Sequence, residues 1–293
     1  MNNHINPAPP IVLVIAGFDP SCGAGIAADL KTIAAHNGYG VAAVTAVTVQ
    51  STQGVLSVHA VPHATLRAQL DALADDVKPS AIKIGMLANK ANVAVVAEFL
   101  ERFKRTPIVL DPVIMPSSGG VELLDAGGVK LLGEDLLKLA TVVTPNIAEA
   151  ALLSGLEIKD VAGMEAAARK LVEKAARAVV IKGGHMEKPI DVLFDGSEIL
   201  TLGGDQVKTL NTHGSGCTFA SAIAAQLATG RPLRDAVLLA KTYVQKAIEH
   251  GFAIGKGAGP LDHFYRVHQE PPTRGVHEVP QHGMHPAAEP AAH

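Results

Sequence analysis

Apolar residues recur in two patterns along this chain, and the alternation between them predicts its architecture. The runs "IVLVIAG" (11–17), "VAAVTAVTV" (41–49), "AIKIGM" (81–86), "PIVLDPV" (107–113), "TVVTPN" (141–146) and "AVVIKGG" (178–184) have strand length. Most end in Gly, Pro or Asp, as strands feeding loops do. Helical spacing fills the gaps and predicts helices over 24–36, 64–77, 90–104, 147–155, 164–176, 216–229 and 233–250. In 164–176, for instance, Ala167, Leu171, Val172 and Ala175 share a face. Strands apolar on both faces and alternating with helices imply an α/β fold with a mainly parallel central sheet covered by helices on both sides. The stretch 191–202 breaks the rhythm, because "DVLFDG" and "SEILTL" read as a hairpin at a sheet edge.

No internal repeat is present, and no linker interrupts residues 11–266, which predicts one domain after an arm at 1–10. Residues 267–293 are rich in Pro and His and lack periodicity, so a disordered tail is expected there. Its histidines at 277, 282, 285 and 293 offer metal ligands only as a weaker reading.

Composition narrows the function classes. Across 293 residues, 48% are apolar, 18% are charged, and the formal net charge is −3. That balance gives no field to hold nucleic acid or a membrane surface. Two cysteines far apart make neither a disulfide framework nor a metal-binding pair. The opening "MNNHINPAPP" has no basic segment followed by an apolar one, so no signal peptide is expected. No apolar run approaches the roughly 20 residues that span a bilayer. A cytoplasmic protein is the expectation.

In parallel α/β sheets ligands sit at the C-terminal ends of strands. Asp19, Asp111, Asn146, Lys182 and the turn 213–217 fall there. No Walker A loop occurs. "GAGIAA" from Gly23 imitates a dinucleotide fingerprint, but five residues separate it from strand-ending Gly17, and no acid closes the next strand. The remaining scheme is the late turn "HGSGC". Gly214 and Gly216 let the backbone turn tightly and approach a ligand, and the amides of Ser215, Gly216 and Cys217 open an uncharged helix. Amides at a helix N-terminus suit a transferring phosphoryl group; the alternative is a glycine cap on an ordinary buried helix.

Asn146 and Glu149 stand at i, i+3 at one helix start. Both offer oxygen, the ligand Mg²⁺ prefers, although the same spacing makes a capping box. Lys182 ends an apolar strand as a cation at the catalytic edge, or snorkels out of it. Asp111 can bind metal or cap its loop. Asp29 borders the apolar stripe of its helix, which also suits a surface position. Cys217 reads as a small core residue, a redox thiol or a base.

These segments, in order, resemble the ribokinase-like superfamily and, within it, the hydroxymethylpyrimidine/phosphomethylpyrimidine kinases of thiamine biosynthesis. The resemblance covers about residues 11–266 and rests on "IAGFDPSCGAGIAADLKTIAAH", "YGVAAVTAVTVQST", "KIGML", "VLDPV", "ATVVTPNIAEA", "VIKGGH", "NTHGSGCTFASAIAA" and "GKGAGP". Cysteine at 217 points to this branch, since most sugar kinases of the superfamily carry aspartate there.

The resemblance implies a three-layer sandwich and ATP·Mg²⁺-dependent phosphorylation of 4-amino-5-hydroxymethyl-2-methylpyrimidine, then of its monophosphate. It implies a pyrimidine pocket of Gly17, Ala24, Asp29, Gln50, Met86 and Val113, and ATP contacts from Lys182, Asn146, Thr212 and Gly214. Asn146, Glu149 and Asp111 would serve the metal. Gly214, Ser215 and Gly216 would form the anion hole, with Lys182 beside it and Cys217 as base. A helix N-terminus is expected to lower the Cys217 pKa. The resemblance suggests a homodimer. Phe18, Cys22 and the stretch "DPVIMPSSGG", without a basic residue, depart from the family pattern at the mouth of the site. A pyridoxal kinase of the same superfamily and a non-catalytic pyrimidine-binding sensor remain alternatives.

Overall fold

A computed structural model describes residues 8–115, 121–184 and 189–268. The tail expected over 267–293 therefore lies, beyond His268, outside the described residues, as does most of the arm. The chain runs β1 (Ile11–Phe18), α1 (Gly25–Ala35), β2 (Tyr39–Ser51), β3 (Gly54–Ala60), α2 (His63–Asp76), β4 (Ala81–Ile84) and α3 (Lys90–Leu100). It continues through β5 (Ile108–Leu110), α4 (Ala126–Leu131), β6 (Val142–Val143), α5 (Ile147–Ser154), α6 (Val161–Lys174) and β7 (Val179–Ile181). The hairpin β8 (Ile190–Phe194) and β9 (Ile199–Gly203) precedes α7 (Ser215–Ala228) and α8 (Leu233–Glu249).

These strands form one sheet in the order β3-β2-β1-β4-β5-β6-β7-β8-β9. Its centre, from β2 to β7, is parallel, while β3 and the β8–β9 hairpin run antiparallel at the two edges. The period of two along each strand divides the core into two layers. Leu13, Ile15, Ile82, Ile84 and Leu110 pack with α2, α3, α5 and α6 residues such as Leu66, Val96, Ala150 and Leu171. Their neighbours Val12, Val14, Ala16, Ala81 and Val109 face the other way, onto Ile26 and Ile33 of α1, Phe219 and Ile223 of α7 and Tyr243 of α8. The result is the three-layer, ribokinase-like sandwich expected from the sequence.

Three features differ from the periodicity reading. β3 is a strand because β2 offers it an antiparallel edge, from Ala46↔Ala60 to Ser51↔Gly54. α4, capped by the Asp125 side chain on Gly128 N, continues as a π-helical stretch at Leu132–Leu136 and a 3-10 turn at Leu137–Leu139. β5 and β6 stop at Leu110 and Val143, so "DPV" and "TPN" leave the sheet as loops. Proline denies the ladder a donor there, and the chain turns into the site.

Candidate active site

β1 lies between β2 and β4, so the chain leaves β1 toward one edge and returns to its other side. The loops after β1 and β4 diverge there and open a crevice at the C-terminal ends of the strands. A cavity of about 450 Å³ occupies it. Gly17, Ala24, Gln50, Met86 and Val113 line it, as do Asp111, Asn146, Glu149, Lys182 and the 212–217 turn, including Thr212, Gly214, Ser215, Gly216 and Cys217.

The turn is built by backbone conformation. Gly214 adopts φ 84°, ψ 9°, and a Cβ there would collide with the Gly23 carbonyl oxygen. Its conformation and its contact both require glycine. Ser215 N–H is turned onto Thr212 O at 3.2 Å, and Thr218 N–H starts the helical ladder on Gly214 O at 2.9 Å. Between them, the Gly216 and Cys217 amides are left to a ligand, so Ser215 N–H is not part of the hole as expected. A Cβ added to Gly216 would lie 3.1 Å from Lys182 Nζ, which places a cation beside those amides.

The acidic side of the cavity is nearly closed to solvent. Asp111 is 2% exposed; its Oδ1 accepts from Lys182 Nζ at 2.6 Å and from Thr144 Oγ1 at 3.1 Å. Asn146 and Glu149 form the capping box of α5: Asn146 N donates to Glu149 Oε2, and Glu149 N to Asn146 Oδ1, both at 2.9 Å. Burial pushes the Glu149 carboxyl up to about 7, against the pull of Lys182 and with a push from Asp111. Burial would lower the Lys182 ammonium, but Asp111 and Glu149 hold it above the usual lysine range. Two buried carboxyls around one ammonium leave this wall short of positive charge. Among the described residues no His, Cys, Asp or Glu cluster could hold a metal by itself. Asp111, Glu149 and the Asn146 amide supply oxygen ligands of the kind Mg²⁺ prefers.

Two expectations are corrected here. The Cys217 thiol is raised to about 11: burial dominates, while Lys83 and a backbone hydrogen bond from Gly25 pull it back only in part. Desolvation thus favours the neutral thiol at this position. Asp29, expected to line the pyrimidine pocket, is 0% exposed and sits behind the cavity. Lys83 Nζ donates to its two oxygens at 2.9 and 2.8 Å, and Ser221 Oγ to Oδ1 at 2.7 Å. Burial opposes the Lys83 charge, but Asp29 more than offsets it and holds the ammonium above its usual range.

The periodicity reading passed over Lys83, which lines the cavity, although a lysine inside the apolar strand "AIKI" was the available signal. It also passed over the side chain of His213. That ring's Nε2 lies 2.8 Å from Asp19 Oδ2 and 3.2 Å from Gln50 Nε2, joining the loop after β1 to the turn before α7. Burial would raise the Asp19 carboxyl, yet hydrogen bonds from His213, Ser21 and Ala24 outweigh it and hold the group below its usual range.

A doubly covered parallel sheet with an amide-lined hole and a lysine at its switch-point crevice defines a ribokinase-like phosphotransferase. The phosphomethylpyrimidine kinase family model matches residues 19–262. A hydroxymethylpyrimidine/phosphomethylpyrimidine kinase from Synechococcus elongatus is 45% identical over 261 residues, covering 88% of this chain and 98% of its own. The thiamine biosynthesis bifunctional protein of Geobacter sulfurreducens is 44% identical over 254 residues, 86% of this chain; this chain spans 52% of that relative's length. Among solved structures, Staphylococcus aureus pyridoxal kinase in complex with AMP-PCP and pyridoxal matches with a TM-score of 0.80 and 36% identity, covering 88% of this chain and 95% of that one. Clostridium difficile phosphomethylpyrimidine kinase matches with a TM-score of 0.73 and 34% identity, covering 82% and 99%. The chain belongs to the phosphomethylpyrimidine kinase family.

Proposed function

We propose that this kinase transfers the γ-phosphoryl group of ATP to the hydroxymethyl oxygen of 4-amino-5-hydroxymethyl-2-methylpyrimidine, and then phosphorylates the monophosphate to the diphosphate. The observation that carries this reading is the shared cavity. It joins a small pocket of Gly17, Ala24, Gln50, Met86 and Val113 to the Gly216 and Cys217 amides and Lys182. Gln50 matches an aminopyrimidine edge, since its amide both donates and accepts, while Met86 and Val113 supply apolar walls.

Phosphoryl transfer is catalysed chiefly by positioning and charge stabilisation. Lys182, Thr212, Asn146 and Gly214 would hold the ATP phosphates, and Asp111, Glu149 and Asn146 would hold Mg²⁺, which would neutralise phosphate charge when bound. The Gly216 and Cys217 amides stabilise the moving group. In the first step the hydroxymethyl oxygen forms its bond to the γ-phosphorus, the bond to the ADP oxygen breaks, and the Cys217 thiolate takes the hydroxyl proton. That thiolate is scarce but strongly basic, and the thiol returns its proton to solvent afterwards. Residues 11–266 act as one kinase domain of a cytoplasmic homodimer. The exposed apolar residues Tyr39, Val47, Val49 and Leu56 on β2 and β3 support the dimer, and no described helix is long and apolar enough to cross a membrane.

One observation favours a second substrate: the fold matches the pyridoxal-bound S. aureus kinase at least as well as the C. difficile phosphomethylpyrimidine kinase. A coupled ADP-release assay with Mg·ATP and hydroxymethylpyrimidine, its monophosphate or pyridoxal tests both readings. The expected result is turnover of the first two with kcat/KM well above that for pyridoxal. Turnover of pyridoxal alone would reverse the assignment, and no ADP with any of them would leave a non-catalytic binder.

A further inference from the structure

The geometry points to His213 as the residue that fixes substrate specificity, by setting which end of the Gln50 amide faces which neighbour. Asp19 Oδ2 accepts from Ala24 N at 2.9 Å and Ser21 Oγ at 2.9 Å, and Oδ1 accepts from Ser21 N and Ser21 Oγ, both at 2.8 Å. A carboxylate receiving that many donors is ionised and can only accept. The His213 atom 2.8 Å away, Nε2, must therefore carry a proton. The opposite tautomer would aim a nitrogen lone pair at the carboxylate.

That assignment propagates to Gln50. The Gln50 amide nitrogen faces His213 Nε2 at 3.2 Å, and two donors cannot share a hydrogen bond. At its other end, Gln50 Oε1 lies 3.1 Å from Thr48 Oγ1, whose hydroxyl also reaches Phe18 O at 3.1 Å with one proton for two acceptors. Half a turn about the last side-chain torsion removes the donor–donor contact at His213 and the competition for the Thr48 proton. The amide oxygen then takes the longer arm of a shared hydrogen bond from the His213 Nε2–H that Asp19 Oδ2 accepts, and its NH₂ donates to Thr48 Oγ1, which donates onward to Phe18 O. Amide orientation is properly set by such a network. One N–H and one lone pair of Gln50 remain for a ligand. An aminopyrimidine meets them with its amino N–H and adjacent ring nitrogen; its 4-oxo counterpart presents the reverse pattern, C=O beside N–H.

Asp19 and His213 thus act as a relay that makes the Gln50 amide hold one of its two orientations. His213 is a positioning residue here, and its substrate consequence rests on the pyrimidine kinase reading above.

Two measurements test it. In the ligand-free protein, ¹⁵N chemical shifts of the His213 ring should show Nε2 protonated; an Nδ1–H tautomer would overturn the relay whatever the enzyme phosphorylates. The second compares kcat/KM for the aminopyrimidine and its 4-oxo analogue. Without His213 only Thr48 orients the amide, so His213→Ala should narrow the wild-type preference for the amino form, at most by about tenfold, the effect of roughly one hydrogen bond. His213→Gln, whose NH₂ can serve both Asp19 and Gln50, should restore it. A merely structural role would lower both substrates equally and leave the ratio unchanged, which would sink the proposal. Absence of pyrimidine turnover in the wild type would instead refute the substrate assignment and leave the tautomer result standing.

Discussion

Cys217 sits between two opposing effects: burial that favours its neutral form and the Lys83 ammonium that favours the thiolate. The first wins, and the consequence is a pH dependence of known sign. Below its pKa of about 11 the thiolate fraction rises tenfold with each pH unit. If Cys217 is the base, kcat/KM for the hydroxymethylpyrimidine, which reports the free enzyme, should climb from pH 7 to 9. Cys217→Ala should remove that slope and slow the first phosphorylation by about 10²-fold, the low end of general-base effects. The second phosphorylation attacks with a phosphate oxygen that needs no base, so it should change far less. Rates of the two steps, measured separately against pH, check this; equal losses in both would assign Cys217 to packing. Cys22, the other thiol, has φ 58°. Left-handed backbone costs about 1–2 kcal/mol for a residue with a Cβ.

At the scale of elements, the helix N-termini combine cap and site. In α5 the capping box that holds the helix start also places Asn146 and Glu149 at the cavity. The two readings of "NIAE" left open by spacing are therefore not exclusive: an amide oxygen has a second lone pair after accepting from Glu149 N. Asn146→Ala should cost about 1 kcal/mol through the lost cap, seen as a fall in Tm of about 2–4 °C for a domain of this size. Asn146→Asp keeps the acceptor and should keep the Tm. Calorimetry of both variants checks this; an unchanged Tm for Asn146→Ala would show that tertiary packing alone fixes α5. α7 differs, because no side chain caps it. Its start is set by the left-handed Gly214, leaving the amides of Gly216 and Cys217 to a ligand.

Across the whole molecule, the Asp29–Lys83–Ser221 cluster ties α1, β4 and α7 together beneath the cavity floor. Lys83 follows the same two-residue alternation as Ala81, so it points into the α1/α7 layer, where Asp29 is its partner. Removing one member of such a pair strands a buried charge. Lys83→Met should destabilise the fold by about 3–5 kcal/mol, whereas Lys83→Met with Asp29→Leu should recover most of that. Urea denaturation of the single and double variants measures the difference. A single variant as stable as the wild type would mean the pair contributes nothing to folding.

Much of this protein was legible in its sequence because the determinants are local. Apolar runs alternating with helical spacings gave the layers, although the runs 107–113 and 141–146 were read as strands past Leu110 and Val143, where "DPV" and "TPN" leave the sheet. Glycines at 214 and 216 revealed a turn before an uncharged helix, and ordered motifs revealed the family. Long-range pairing was not legible. β3 exists only because β2 presents an edge to it. Asp29 looked like a pocket residue until the fold brought Lys83, 54 positions away, onto both its oxygens. The Cys217 proton affinity and the His213–Asp19 contact, which spans 194 positions, likewise depend on what surrounds each group in space. Desolvation and hydrogen-bond partnership are properties of a neighbourhood, so only the tertiary structure decided which donors, acceptors and charges were spent in building the site and which were left for the substrate.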